Sequence, residues 1–264
     1  MGIFCEELMA CAALVQIGPA RQSFWALHVR DPQLQRERTR LLPRRGEIEL
    51  VTGRAPSHSA PANTPPADAI AEPGRLRIRD RGVALDLQLD EDSGVEALCA
   101  HGHGTIWTRK QAGIAAHGTL AIDGGPPHVV QALAVIDDTA GHHARHTEWR
   151  WCAGVGARAD GAALAWNLVS GVNDPPSDSE RAVWVSGTPF EPAPVDFSSD
   201  LARIDCTDGS TLHFQAETER ARHDNLLIVS SDYRAPFGRF SGTLPGGIEL
   251  ARGLGVAEHH RARW

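Results

Sequence analysis

No stretch of this 264-residue chain reaches the roughly 20 consecutive apolar residues that a membrane-spanning helix needs, so no integral membrane segment is expected. Basic residues are not in excess either. The 26 Lys and Arg stand against 33 Asp and Glu, for a formal charge of -7 and a pI near 6.0. That balance lacks the electrostatic footprint of a nucleic-acid binder, and no nucleic-acid partner is expected. Cysteine is sparse: Cys5, Cys11, Cys99, Cys152 and Cys206 are scattered, and no two have C-x-x-C spacing. A disulfide framework or zinc knuckle needs closer pairs, so these read as reduced core thiols in a reducing compartment. Leu8-Met9-Ala10-Cys11 follows Glu6 and Glu7 with no Lys or Arg before it, so it is not expected to be a lipoprotein leader. Glu6 also occupies the place where a myristoylation signal carries Ser or Thr. A cytoplasmic protein is the expectation.

Catalytic signatures are missing as well. There is no G-x-S-x-G elbow, no P-loop and no G-x-G-x-x-G after a strand, and Gly154-Val155-Gly156 falls inside a hairpin. Covalent acyl transfer and nucleotide chemistry fit poorly, and no cofactor is expected. No segment sustains a 3.6-residue apolar period.

Strand patterning fills the chain instead. Residues 3–17 and 23–30 read as strands broken at Gly18-Pro19, and 47–53 as another. Between them, the arginine run 36–45 (RERTRLLPRR) reads as a solvated loop ended by Pro43. Residues 55–74, rich in Pro, Ala and Ser, read as a long flexible loop. From Arg75 onward short strands recur, and Leu85-Asp86-Leu87-Gln88-Leu89 alternates with the period of a half-wet strand. After Asp137 the predicted strands are 147–157, 162–171, 182–188, 190–197, 201–206, 211–219, 225–234, 237–244 and 248–257. Turn chemistry at Asp208-Gly209 and Gly246-Gly247 separates some of them. So many antiparallel strands in so short a span is the arithmetic of a barrel. The fold class is all-β, with two antiparallel lobes at 1–136 and 137–264 and no residue-level repeat between them.

The densest stretch is His146–Glu191, which holds Trp149, Trp151, Trp166 and Trp184. Asp137–Trp151 (DDTAGHHARHTEWRW), Trp166–Pro175 (WNLVSGVNDP), Ser179-Glu180-Arg181 with Trp184, and the ending PFGRFSGTLPGG…GLGVAEHHRARW together resemble the DUF2804 family. The resemblance runs from about Gly2 to the end and is strongest after Asp137. It implies a bacterial family of unknown function. Its members carry further sequence upstream, so this chain is expected to begin inside the first strands. It also implies kinship with calycin-like proteins of two lipocalin-type barrel or sandwich lobes, a group that includes carotenoid-hydratase-like proteins and some cyclases. Fold analogy of that kind does not set function.

The residues themselves suggest several sites. His142, His143 and His146, with Asp137 and Asp138 upstream, could in principle bind a metal, but the spacing is not H-E-x-x-H and surface histidines are the plainer reading. Asp137 or His146 fits an acid–base role better. Asn167 and Trp166 must point to opposite faces of one strand, so one of them faces the interior. If that is Asn167, its buried amide needs a polar ligand or Glu180 as partner. Asn173 and Asp174 read first as turn residues, with Asn173 a lesser candidate ligand contact. Trp149 and Trp151 share a face and form either core or the wall of an apolar ligand site. Tyr233, the only tyrosine, could donate a proton or make a structural hydrogen bond. Glu258, His259 and His260 read as groups locking the last strand in place.

Two functions compete on these residues. The first is a β protein binding an apolar or amphipathic small molecule through Trp149, Trp151, Asn167 and Asn173. The second is a hydratase, isomerase or cyclase for a lipid-like or polyketide-like substrate, with Asp137, His146, Glu180 and Tyr233 moving protons. A structural or interaction role is the third, and oligomeric state is left open.

Overall fold

In the computed structural model, which describes residues 1–51, 74–226 and 229–263, the alternating pattern becomes nineteen strands and, among the described residues, no helix. The fold is all-β. Strands β1 (Gly2–Phe4), β2 (Leu8–Ile17), β3 (Ala20–Val29), β4 (Leu34–Leu41) and β5 (Ile48–Val51) come first. Then follow β6 (Gly74–Asp80), β7 (Val83–Leu89), β8 (Val95–His101), β9 (Gly104–Ile122) and β10 (His128–Gly141). The rest are β11 (His146–Ala157), β12 (Ala163–Ser170), β13 (Ala182–Val185), β14 (Thr188–Phe190), β15 (Val195–Phe197), β16 (Arg203–Cys206), β17 (Thr211–Leu226), β18 (Val229–Leu244) and β19 (Ile248–Arg263). The expected flexible loop at 55–74 lies outside the described residues, save for Gly74, which opens β6.

A ten-stranded sheet runs β4-β3-β2-β1-β10-β9-β7-β6-β5, with β8 also paired to β9. A nine-stranded sheet runs β14-β13-β12-β11-β19-β18-β17-β16-β15. By contacts the chain forms two compact units, Met1–Ser93 with Ile114–Ala134 and Gly94–Gly113 with Val135–Trp264. Both are discontinuous, because β9 and β10 each change unit partway along their length.

In the first unit, Ile3, Phe4, Leu8, Met9, Trp25 and Leu27 are buried with Leu76, Ile78, Leu85 and Leu87. The arginine run is not the solvated loop expected. Residues 34–41 form β4, where Arg36 pairs with Asp123, Arg38 with Asp80 at 3.7 Å, and Arg40 with Glu47. Those acidic partners come from other strands and turns, so no local pattern could show them.

The second unit is built on β11 and β19, which pair over twelve residues from His146↔Arg263 to Ala157↔Arg252. One face of this sheet is an apolar core of Cys152, Leu164, Trp166, Leu168, Val183, Phe214, Phe240 and Leu250, among others. Trp166 is wholly buried and fits because Gly154 and Gly253 leave room for its ring. A Cβ at Gly154 would stand 2.3 Å from Trp166 Cζ2. The sheet curls until β15 rests near β12, but its end strands β14 and β15 are not hydrogen-bonded to each other. Each edge strand has three residues, a length too short to template pairing with another chain.

The sequence pattern split β18 into two strands around Pro236. The structure keeps one strand, Val229–Leu244, and its ladder with β19 steps from Arg234↔His259 to Phe237↔Val256. Pro236, which has no N–H to donate, falls in that gap. None of the five cysteines is in a disulfide, and burial pushes the Cys206 thiol up to about 12. No helix of the described residues is long and apolar enough to cross a membrane.

Candidate functional site

On the face of the nine-stranded sheet opposite the Trp166 core, side chains fall into rows across the strands, because alternation along each strand keeps every second residue on that face. One row holds Arg222 (β17), Tyr233 (β18), His260 (β19) and Trp149 (β11). The next holds Arg220, Ala235, Glu258, Trp151 and Val169. A third holds Phe237, Val256, Ala153, Asn167 and Ala182. Glu258 lies opposite Ala235 in the gap left by Pro236, so a carboxyl is flanked by the smallest side chain in its row.

Glu258 is held by two donors. Trp149 Nε1 donates to its Oε1 over 2.7 Å, and the Tyr233 hydroxyl also bonds it. Burial is nevertheless the largest influence and lifts the carboxyl to about 7, with Asp137 pushing it further up and Lys110 pulling it down. His260 meets Trp149 edge-on at 4.4 Å and Tyr233 at 5.4 Å, and its Nε2 bonds Ser231 Oγ at 2.8 Å. Burial holds this imidazole down to about 4, so it is neutral at physiological pH. The two rows remain half-accessible at Trp149, Trp151, Tyr233, Glu258 and His260. Burial governs the titration of Glu258 and His260, yet both still touch solvent.

Against this face sits a buried charged cluster from β9, β10 and the 171–181 loop. Lys110 Nζ lies 2.6 Å from Asp137 Oδ1 and 3.3 Å from Glu180 Oε1, and 6.0 Å from the centre of the Trp151 ring. Lys110 and Glu180 keep only 4% and 5% of their side-chain surface, whereas Asp137 keeps 37% and is the member open to solvent. Burial pulls the Lys110 ammonium down, but the two carboxylates outweigh it and hold it above the usual lysine value. Burial works against the Asp137 carboxylate too, yet Lys110 and the Thr139 hydroxyl keep it below its ordinary range. Glu180 goes the other way: burial dominates, Asp137 adds to it, and its carboxyl is raised. The ion pair is therefore Lys110–Asp137, with Glu180 the more easily protonated carboxyl.

The loop that delivers Glu180 is rigidly tied. Arg181, fully buried, donates to the carbonyls of Pro175 at 2.8 Å and Pro192 at 3.2 Å. Glu191 accepts from the backbone N–H of Asp178 and Ser179 and from the Ser179 hydroxyl. Asn173 adopts a left-handed φ of 53° and donates Nδ2 to Glu180 Oε2 at 2.9 Å. Its Oδ1 is buried and accepts no hydrogen bond among the described residues. Asp174 accepts from the backbone of Gly171, the turn role expected of it.

Asn167 faces this site while Trp166 faces the core, and neither is exposed. The Asn167 amide accepts from Trp151 Nε1 at 2.8 Å and donates to the Glu180 carbonyl at 2.8 Å. It thus ties the aromatic wall to the loop. The structure brings together Asp137, Glu180, Asn167, Asn173, Trp149, Trp151 and Tyr233. It does not bring in His146, which is exposed at the start of β11, nor His142 and His143, which are exposed just before it. Among the described residues no group of three or more His, Cys, Asp or Glu could hold a metal ion.

Two central members were not singled out from the sequence as site residues. Lys110 sits in an Arg-Lys pair with no distinguishing pattern: its neighbour Arg109 points the other way and pairs with Asp138 at 2.6 Å. Glu258 was grouped with the strand-locking residues, and β19 divides that group by alternation. His259 and Arg261 face outward and bind Glu148 at 2.9 and 3.1 Å, while Glu258 and His260 face the site. Extending the predicted strand from 257 to 263 would have separated them.

A family model described as a domain of unknown function, DUF2804, matches residues 74–264. The chain belongs to the DUF2804 family. No curated protein matches it. Two solved structures are similar to this DUF2804 protein. One, from Nitrosomonas europaea and described as an AttH, superposes with a TM-score of 0.57 at 12% identity, covering 96% of this chain and 86% of that one. The other, kievitone hydratase from Nectria haematococca, superposes with a TM-score of 0.53 at 11% identity, covering 97% and 84%. At such identities the likeness is one of fold alone.

Proposed function

We propose that the second unit of this DUF2804 protein binds an amphipathic small molecule against the Trp149–Trp151 face and moves protons to and from it. The reaction class is that of a hydratase or isomerase. One observation carries the reading: the Glu258 carboxyl, raised to about 7, is oriented by Trp149 and Tyr233 on a half-accessible face. A carboxyl poised near neutral pH can give a proton and take one back, which is what general acid–base catalysis requires. Tyr233 and the solvent-open Asp137 are the remaining proton-carrying groups, and Lys110 supplies fixed positive charge beside them. One structural neighbour is named a hydratase, which agrees with this class without assigning it. The Trp166 face is filled by side chains, so the ligand belongs on the opposite face.

Binding without turnover is the second reading. It is favoured by the closure of Lys110, Asp137, Glu180 and Asn173 on one another, an arrangement that serves shape as well as chemistry.

The test is isotopic. The purified protein is incubated in deuterated, ¹⁸O-labelled water with a panel of amphipathic alkenes, alcohols and enones, followed by mass spectrometry. Label should enter at least one compound with wild type and not with E258Q. Retention of a compound without label supports binding alone. Neither retention nor label from any member of the panel overturns the proposal.

A further inference from the structure

In the first unit, the β2–β3 hairpin and the end of β4 carry apolar side chains that the core does not use. Leu14 and Ile17, near the end of β2, are 49% and 46% exposed, and Leu41 and Leu42, where β4 ends, are 61% and 78% exposed. Register brings the four to one tip. Gln16 lies opposite Arg21, Gln22 lies opposite Leu41, and the Leu42 N–H donates to the Arg21 carbonyl at 2.9 Å. Exposed aliphatics scattered singly are ordinary, but four at one tip form a patch of the kind that marks an interaction site.

Leu42 is also out of place in its backbone. Its φ of 71° lies in the left-handed region, where glycine or asparagine is the usual occupant and a branched apolar residue is strained. Strain and an exposed apolar surface fall on the same residue, and neither helps the fold.

The charges around the patch have one sign. From Leu8 to Ser23 the only charged side chain is Arg21, and from Thr39 to Gly46 they are Arg40, Arg44 and Arg45. Arg40 is taken up by Glu47, while Arg21, Arg44 and Arg45 are exposed and pair with no acidic group among the described residues. A basic tip on a chain of net charge -7 selects its partner. A symmetric contact with a second copy would set these arginines against their own counterparts. Nucleic acid offers phosphates, but its bases stack on aromatic rings, and residues 14–23 and 39–46 contain none. An anionic lipid surface suits both halves of the patch, with acyl chains for the aliphatics and phosphates for the guanidiniums.

We propose that this tip docks the protein on an anionic phospholipid surface. Leu14, Ile17, Leu41 and Leu42 enter the boundary between headgroups and acyl chains, and Arg21, Arg44 and Arg45 meet the phosphates. The attachment is peripheral and reversible, and it does not depend on the Glu258 site.

The test is cosedimentation with vesicles of phosphatidylcholine alone, or of phosphatidylcholine and phosphatidylglycerol in equal parts. Wild type is compared with L41N/L42N and R44Q/R45Q, each checked for native circular dichroism; asparagine tolerates the left-handed region, so L42N preserves the turn. Wild type should bind the mixed vesicles about tenfold or more tighter than the neutral ones, and added salt should weaken that binding. On mixed vesicles R44Q/R45Q should lose roughly 25-fold, about fivefold for each arginine. L41N/L42N should lose about tenfold or more, the scale of burying one leucine. Failure of wild type to bind mixed vesicles overturns the proposal, as does equal binding to both compositions or a folded L41N/L42N that binds like wild type. Dimers of wild type that L41N/L42N abolishes, without vesicle binding, would assign the tip to a second copy and overturn it too.

Discussion

Trp149 donates its indole N–H to Glu258 across the paired strands β11 and β19, in a bond of 2.7 Å that joins residues 109 positions apart. The bond places a carboxyl raised to about 7 next to an aromatic wall. Burial favours the uncharged acid, while the two donors favour the carboxylate, and burial is the stronger.

Glu258 therefore makes stability depend on pH in a set direction. Its folded value lies above the unfolded one, so its contribution is complete below about 4.5 and is lost as pH rises through about 7. The loss amounts to roughly 3 kcal/mol at most, the equivalent of that displacement. Urea denaturation at pH 5 and pH 8 should show wild type weakening relative to E258Q at the higher pH. Parallel behaviour of the two proteins would sink the assignment.

His260 acts in the opposite direction. Its folded value, about 4, lies below the unfolded one, so its contribution is present above about 6.5 and is lost as pH falls through about 4. Imidazole resonances followed by NMR should show His260 titrating near 4. A midpoint near 6.5 would mean that the ring is not packed between Trp149 and Tyr233 in solution.

Removing the Lys110 charge should be costly. K110M leaves Glu180 buried without its cation and should destabilise the protein by on the order of 3 kcal/mol at pH 8. The loss should shrink in acid, where the raised Glu180 carboxyl takes up a proton. The double variant K110M/E180Q should recover part of the loss at pH 8. No recovery would show that Glu180 is not the group left stranded.

Gly154 tests the other face. G154A sets a methyl group against Trp166 and the Leu254 carbonyl, at 2.3 and 2.6 Å, so ring or strand must move. A cost of about 1–3 kcal/mol is expected, with a changed tryptophan emission spectrum. A variant as stable as wild type would mean that the Trp166 ring has space the structure does not show.

Alternation alone made most of the second sheet legible. Trp166 and Asn167 had to face opposite ways, and they do, one into the apolar core and one into the polar site. Asp137 stood out for its place just before the histidines, Glu180 as a possible partner of the Asn167 amide, and Tyr233 as the only tyrosine. Lys110 did not, because nothing local distinguishes it from Arg109. The arginines of β4 misled for the same reason: their partners Glu47, Asp80 and Asp123 come from elsewhere in the fold.

What the chain's own order of residues determined is the all-β class, the two-residue period that sorts side chains to faces, and the turns at Asp208-Gly209 and Gly246-Gly247. Those are local consequences of backbone sterics and side-chain polarity. Only the tertiary structure decided that β9, β10, β11, β18 and β19 meet where Lys110, Asp137, Trp149, Tyr233 and Glu258 share one environment. A carboxyl becomes a neutral-pH acid through the medium around it, and that medium is assembled from strands far apart in the chain.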